Sequence, residues 1–160
     1  MKQFLTIANL AKCVAFLCGI GGFCLMFADQ LAYTQGNTTF FMGYQNALFG
    51  GSVDFLFFKL VAKGATLSFI GYIILALAAL LTGANFFVTD KTANKFLPLV
   101  NGALMITAGV FIILEANLFN TANDSKIILW GLAAAPIVAA ILGWVGGLLN
   151  CCSGFLPSKK

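Results

Sequence analysis

The sequence contains no histidine and no arginine, and charged residues make up only 9% of its 160 positions. Histidine is the usual general base near neutral pH and the commonest metal ligand, and arginine holds carboxylates and phosphates with two parallel hydrogen bonds. The five acidic residues are spread along the chain and form no evident pair. A phosphate-binding loop would need a Gly-Lys-Ser/Thr ending, which is also missing. We therefore expect no enzymatic activity, no cofactor and no metal ion.

The shortage of charge also limits the possible partners. A net charge of +4 is distributed over the chain without a basic patch, so we expect no nucleic acid as a partner, and no small-molecule substrate is evident. Hydrophobic residues make up 61% of the chain. Charged residues make up 9% of it, compared with about 25% of an ordinary soluble domain. A soluble fold of this size could not cover such a chain with polar surface. The lipid bilayer is therefore the expected surroundings and first partner.

Four apolar runs are long enough to cross a membrane, which takes roughly 20 helical residues. Backbone amides need internal partners in lipid, so runs of this length are expected to be α-helices. The predicted fold class is an all-α integral membrane protein, a four-helix transmembrane bundle in a single four-span domain, 1–160. The first run follows Lys2 and resembles a secretion signal, but we interpret it as a retained helix. The predicted helices are about 7–28, 61–81, 96–114 and 127–149, with outer loops 29–60 and 115–126 and an inner loop 82–95.

The lysines predict the orientation, because basic residues are enriched in cytoplasmic loops. Four crossings put both termini on one side, and that side with loop 82–95 holds six of the nine lysines. These are Lys2, Lys12, Lys91, Lys95, Lys159 and Lys160. We therefore expect cytoplasmic termini, in a plasma or cytoplasmic membrane. Lys12 lies within the first run and is expected to extend its amine to the near interface.

Small residues predict where helices pack closely, because backbone approach at Gly and Ala contributes much of the packing energy in lipid. The fourth run has such a residue at every fourth position, and the first run has a shorter series. The predicted helix-packing residues are Gly131, Ala135, Ala139, Gly143 and Gly147, with Ala11, Ala15 and Gly19. We expect these two helices to pack tightly, with packing against each other as one arrangement. The alternative is chance, since Gly and Ala are common in membrane helices.

Polar residues within the runs are few. Asn101 is expected to form a hydrogen bond between helices, and Glu115 is expected at the outer interface. Coupled transporters usually keep an ionisable group at membrane depth, and the runs offer none, so a coupled transporter is not expected.

Possible modifications are indicated at both sides of the membrane. Cys151 and Cys152 follow the fourth run at the inner surface, a position typical of S-acylation, although two unmodified thiols are equally consistent with it. No cysteine lies in a predicted outer loop, which excludes external disulfides. Asn37 and Asn123 begin glycosylation sequons in the two outer loops, and these matter only in a eukaryotic source.

The first outer loop is the expected functional surface, because it is long and rich in aromatic residues. Its predicted contact residues are Phe40, Phe41, Tyr44, Phe49, Phe55, Phe57 and Phe58. Gly50-Gly51 lies between two aromatic runs and predicts a hairpin turn that joins strands near Phe40 to Phe49 and Ser52 to Phe58. Such a small extracellular sheet would cap the bundle. The rings would either cover the bundle or form an adhesive or lipid-facing patch, and both interpretations remain open.

Four spans, cytoplasmic termini and a large first outer loop resemble the layout of claudin-like and MARVEL tetraspan membrane proteins. Claudin-like loops carry a Gly-Leu-Trp element and two cysteines, whereas this loop has Ala47-Leu48-Phe49 and no cysteine. The resemblance implies a non-enzymatic protein that acts by lateral and outer-face contacts, in cell adhesion, membrane organisation or as an auxiliary subunit.

Three functional hypotheses follow. The first is a structural or interaction protein that binds copies of itself or another membrane protein through lateral helix contacts and the aromatic outer loop. The second is a channel or pore-forming subunit in a closed oligomer, lined by Asn101, Thr107 or Glu115, because one bundle this apolar would be dry. The third is an accessory subunit of a larger membrane complex.

Overall fold

The structure, a computed structural model, describes residues 6–55, 58–88, 90, 92–124 and 128–156. Within them the helices are α1 (Ile7–Cys24), α2 (Tyr44–Phe49), α3 (Thr66–Ala84), α4 (Ala93–Ile113), α5 (Glu115–Ala122) and α6 (Ala134–Phe155). Single 3₁₀ turns extend α1 over Leu25–Phe27 and α3 over Asn85–Phe87. The strands are β1 (Asp29–Gln35), β2 (Thr38–Gly43), β3 (Gly50–Phe55), β4 (Phe58–Lys63) and β5 (Gly131–Leu132).

Four of the described helices are long and apolar enough to cross a membrane, which confirms the predicted number. They are α1 with its 3₁₀ turn, α3 with its 3₁₀ turn, α4 and α6. Each packs against two others, so that α1, α3, α4 and α6 follow one another around the bundle and α6 closes against α1. Large apolar side chains on the outward faces remain exposed, as expected of helices surrounded by lipid.

The interior of the bundle is filled by small and medium-sized apolar side chains. Leu75 of α3, Met105 and Ile112 of α4, and Ala139 of α6 are all fully buried in one cluster. The bundle has two distinct ends. We call the end with the first turn of α1, the α3–α4 connection and the last turn of α6 the terminal end. The five strands within the described residues lie at the opposite end, which we call the cap end.

The cap contains two small antiparallel sheets. One has the strand order β2-β1-β5, so that a strand preceding α6 pairs with the first strand of the cap. In its register, Leu31 of β1 lies opposite Met42 of β2 and Leu132 of β5. The other sheet pairs β3 with β4. A second apolar cluster joins them beneath α5, and its buried members are Leu31, Met42, Ala47, Ala62, Ala65, Phe119 and Trp130.

The predicted sheet is present, but its predicted hairpin turn is wrong. Gly50 and Gly51 begin β3 and lie opposite Lys63 and Ala62 of β4. The preceding residues form α2 because its helical spacing buries Ala47 and Leu48 together. Gly50 has φ +78, and a Cβ there would lie 2.5 Å from the Ala62 carbonyl oxygen. Glycine is therefore required at position 50 because β3 and β4 approach closely there, and it does not form the predicted hairpin turn.

Several helix limits also differ from the predicted ones. α3 begins at Thr66 instead of residue 61 because the end of β4 pairs with β3. α6 begins at Ala134 because Gly131–Leu132 pairs with β1, and it continues to Phe155. The predicted second outer loop contains an eight-residue helix, α5.

Candidate functional site

Strand β2 is an edge strand of the cap. It lies at the edge of its sheet and pairs with β1 on one side. Its residues, Thr38–Gly43, include no charged side chain and no proline, the two features that most often protect an edge strand from pairing. The described part of the chain therefore offers an unprotected edge strand.

Side chains of β2 alternate between the cap interior and the outer surface. Met42 is buried and Phe40 is half-buried against the cap cluster, whereas Thr39 and Phe41 face outward. Phe41 is 58% exposed. The alternation fixes the register of the strand on its sheet, because a shift by one residue would expose Met42. It also leaves an aromatic ring on the outer surface beside the free edge.

Of the other predicted loop aromatics, two contact the helices and the other three belong to the segment around the β3–β4 connection. Tyr44 packs against the bundle core and its ring lies 5.4 Å from that of Phe27. Phe49 is exposed, but its ring lies 4.7 Å from that of Phe69 on α3. These contacts join the cap to the helices. The backbones of Phe55 and Phe58 lie opposite each other in the β3–β4 pair, and Phe57 lies outside the described residues.

Beneath the cap lies a buried polar cluster, formed by Gln30, Tyr72 and Glu115, that sequence reasoning missed. The Tyr72 hydroxyl donates to Gln30 Oε1 at 2.7 Å. The amide nitrogen of Gln30 donates to the carbonyl oxygens of Leu25, Met26 and Ala28 at 2.9–3.0 Å. Gln30 thus satisfies the backbone groups where α1 ends, and the cluster fixes that end of α1 to α3.

Glu115, which was expected at the outer interface, begins α5 at the cap end, directly after α4. Its side chain is fully buried, and neither carboxylate oxygen has a hydrogen-bond partner among the described residues. Burial raises the pKa of Glu115 to about 8. The carboxyl group interacts electrostatically with Tyr72. The i, i+4 spacing of Glu115 and Phe119 was the available signal, because it puts both on the buried face of α5.

The predicted small residues mostly lie at helix contacts, but not all on one interface. A Cβ at Gly143 would lie 3.1 Å from the Met105 carbonyl oxygen, and one at Gly147 would lie 2.7 Å from the Gly102 carbonyl oxygen. Both therefore face α4. A Cβ at Gly19 would lie 2.6 Å from Ala79 Cβ on α3.

The α1–α6 contact uses other glycines as well. A Cβ at Gly22 would lie 3.3 Å from the Ala139 carbonyl oxygen, and one at Gly146 would lie 3.2 Å from that of Ala15. Ala11 and Ala135 are half-buried. Gly131 lies in β5, outside the helix, and is exposed.

The polar residues suggested as a pore lining do not share one surface. Asn101 is buried, and its Nδ2 has no hydrogen-bond partner among the described residues, so the expected bond between helices is not formed through this nitrogen. Thr107 is exposed and donates to the Ala103 carbonyl oxygen of its own helix at 2.9 Å. At the terminal end, Asn150 Nδ2 donates to Thr82 Oγ1 at 2.7 Å and joins α6 to α3.

The predicted modification residues differ in access. Cys151 packs against Gly102 of α4, whereas Cys152 is exposed, and both lie within α6 instead of beyond it. Asn37 is exposed in the turn between β1 and β2. Asn123 uses its side-chain nitrogen to donate to the carbonyl oxygens of Lys63 and Phe119, both at 2.8 Å. That nitrogen is the atom a glycan would require.

Comparison with protein-family models, with curated proteins and with solved structures finds no match for this chain.

Proposed function

We propose that the protein is a non-enzymatic membrane protein that acts by lateral contact, and that its first partner is a second copy of itself bound through the edge of β2. The observation that carries this proposal is the uncharged, proline-free edge strand at the cap end, with Phe41 exposed beside it. Unpaired backbone N–H and C=O groups on such an edge form a template for another strand.

Antiparallel pairing of two β2 strands supports a closed dimer. Two identical strands related by a two-fold axis make the same contacts in both directions, so the assembly ends at two copies. The paired strands would extend the sheet β2-β1-β5 across the axis. Thr39 and Phe41 of both copies would then lie on one continuous outer face, where a ring and a β-branched side chain pack well across strands.

The rigid connection between cap and bundle also supports this function. The Gln30–Tyr72 hydrogen bond and the ring contact of Phe49 with Phe69 hold the cap in a fixed position on the helices. A strand presented by a fixed support loses less conformational freedom on binding than a strand in a free loop.

The bundle interior argues against a pore within one copy. Between the polar groups of the two ends, Leu75, Ala78 and Met105 are fully buried and leave the described interior apolar. Of the three residues suggested as a lining, Asn101 and Glu115 are buried and Thr107 is exposed. A channel would therefore need a ring of several copies.

The strands in the first outer loop agree with a tetraspan layout, and roles in adhesion or membrane organisation belong to the same proposal.

The mass of the protein in lipid nanodiscs, measured by light scattering, tests this proposal with two matched variants. Phe41→Lys puts a charge beside the β2 edge, and Phe87→Lys makes the same change at an 85% exposed position at the terminal end. We expect the parent and Phe87→Lys to have the mass of two copies, and Phe41→Lys to have the mass of one.

Four outcomes would contradict the proposal. A parent of one copy, or a Phe41→Lys variant that stays dimeric, would remove β2 as the contact. A larger closed ring would favour the channel subunit. A foreign protein that co-purifies in fixed proportion from native membranes would favour the accessory subunit.

A further inference from the structure

A cavity of about 310 Å³ lies at the terminal end, between the first turns of α1 and α4 and the last turn of α6. Its polar lining comes from Asn9, Lys12, Asn94, Lys95 and Ser153. None of the lining residues within the described part of the chain is acidic. Among the described residues the cavity has two lysines and no carboxylate, so its electrostatic potential favours an anion.

Lys12 is the residue that distinguishes this cavity from an ordinary surface depression. It was expected to extend to the interface, but only 5% of it is exposed. Its Nζ donates to Asn94 Oδ1 at 2.9 Å, and Asn94 Nδ2 donates in turn to the Val88 carbonyl oxygen at 2.8 Å. An ammonium group has three N–H donors, and a neutral amide oxygen accepts one of them without neutralising the charge. A buried ammonium is stabilised most by an anion.

A second, apolar groove of about 320 Å³ adjoins the cavity and is lined by Phe96, Leu99, Phe155, Lys95 and Gly154. It shares the last three of these residues with the cavity. Phe96 and Phe155 are exposed. Gly154 allows α6 to approach α4 here, because a Cβ at this position would lie 2.8 Å from the Lys95 carbonyl oxygen.

The depth of the site agrees with the boundary between headgroups and acyl chains. Lys12 lies five residues after Ile7, which corresponds to about 7.5 Å along the helix axis. Ser153 and Gly154 lie within the last turn of α6. A phosphate group in the cavity would therefore be at headgroup level, and the adjoining groove would follow the helices toward the membrane interior.

We propose that this cavity and groove form a binding site for an anionic phospholipid, with the phosphate beside Lys12 and Lys95 and one acyl chain along Phe96, Leu99 and Phe155. The shared chemistry is that of a phosphate anion. A free phosphate would use the cavity alone, whereas a phospholipid also fills the apolar groove, and the adjoining groove is the reason to favour the lipid.

Binding can be measured by native mass spectrometry of the detergent-purified protein with added dioleoyl phosphatidylglycerol, with dioleoyl phosphatidylcholine, or with inorganic phosphate. We expect one phosphatidylglycerol to bind about fivefold more tightly than phosphatidylcholine, the factor expected for one lysine near an anionic headgroup. Inorganic phosphate at the same concentration should leave the mass spectrum unchanged. Lys12→Met, which keeps most of the aliphatic side chain and removes the ammonium group, should reduce the preference.

Lys63→Met provides the matched control, since Lys63 is exposed at the cap end. If Lys12→Met does not fold, Lys95→Met tests the same preference, because Lys95 lies at the exposed rim of the cavity. The comparison of the two lipids on the parent protein tests the site without any variant. Equal binding of the two lipids, or an undiminished preference in the lysine variants at this cavity, would overturn the proposal. Binding of inorganic phosphate as tightly as phosphatidylglycerol would replace the lipid site with a free-anion site.

Discussion

The side chain of Asn123 forms two hydrogen bonds with the backbone of Lys63, a residue 60 positions earlier in the chain. Asn123 Oδ1 accepts from the Lys63 N–H at 2.6 Å, and Asn123 Nδ2 donates to the Lys63 carbonyl oxygen at 2.8 Å. The amide thus satisfies both backbone groups where β4 ends, as a neighbouring strand would. This contact fixes the end of α5 to the base of the β3–β4 pair.

Replacing Asn123 by alanine should lower the free energy of unfolding by about 0.5–1.5 kcal/mol per hydrogen bond lost, because the backbone groups of Lys63 exchange their partner for water in an exposed position. The measurement is unfolding of the purified protein in detergent. Asn117→Ala is the matched control, since Asn117 is exposed on the same helix. An Asn123→Ala variant as stable as Asn117→Ala would show that water replaces these bonds at no cost.

Tyr72→Phe removes the hydroxyl that donates to Gln30 Oε1 and leaves a buried acceptor without this donor. We expect a loss of about 1–3 kcal/mol in the free energy of unfolding, because both residues are fully buried. Tyr44→Phe is the comparison, since the Tyr44 hydroxyl contacts Gln45 in an exposed position. Equal melting temperatures for the two variants would be evidence against the Gln30–Tyr72 bond as a stabilising contact.

Glu115 should make the stability of the protein depend on pH. Its pKa is raised from 4.5 to about 8 in the folded state. Between these values the folded state holds a proton that the unfolded state has lost. Stability should therefore be greatest near or below pH 4.5, fall as pH rises, and level off above about pH 8, with a slope of at most about 1.4 kcal/mol per pH unit.

Glu115→Gln removes the titrating group and keeps its shape. We expect the melting temperature of this variant to be nearly constant from pH 5 to pH 8.5, whereas that of the parent falls over the same range. Asp29→Asn, a change at an exposed carboxylate, should leave the fall in place. A parent curve that is flat, or a Glu115→Gln curve that falls equally, would rule out Glu115 as the source.

The four long helices were predictable because their length and apolar composition follow directly from the thickness of a bilayer. The neighbours of each helix were not. The small-residue series indicated that α6 packs closely, yet Gly143 and Gly147 face α4, and Gly146 faces α1. One helix presents different faces to two neighbours, and the spacing of small residues does not state which neighbour meets which face.

The cap was less predictable, because its contacts join residues far apart in the chain. Pairing of Leu132 with Leu31 in the sheet has no local signal. Gly50 was misinterpreted because glycine is common both in turns and where two backbones approach closely, and both situations use its positive φ. The burial of Lys12 and Glu115 depends on what α4, α5 and α6 place around them, and the hydropathy of their own segments does not contain that information.

Gly147→Ala tests the closest backbone approach of the two helices in most extensive contact, α4 and α6. Its Cβ would lie 2.7 Å from the Gly102 carbonyl oxygen, so the helices must separate. Overpacking of this kind costs about 1–3 kcal/mol, more than the roughly 1 kcal/mol that alanine gains over glycine within a helix.

Gly21→Ala is the matched control, because its Cβ would meet nothing closer than Leu142 Cδ1 at 3.7 Å. We expect a lower melting temperature for Gly147→Ala and an equal or higher one for Gly21→Ala. If both variants melt together at the parent temperature, glycine at position 147 is not required for the α4–α6 contact.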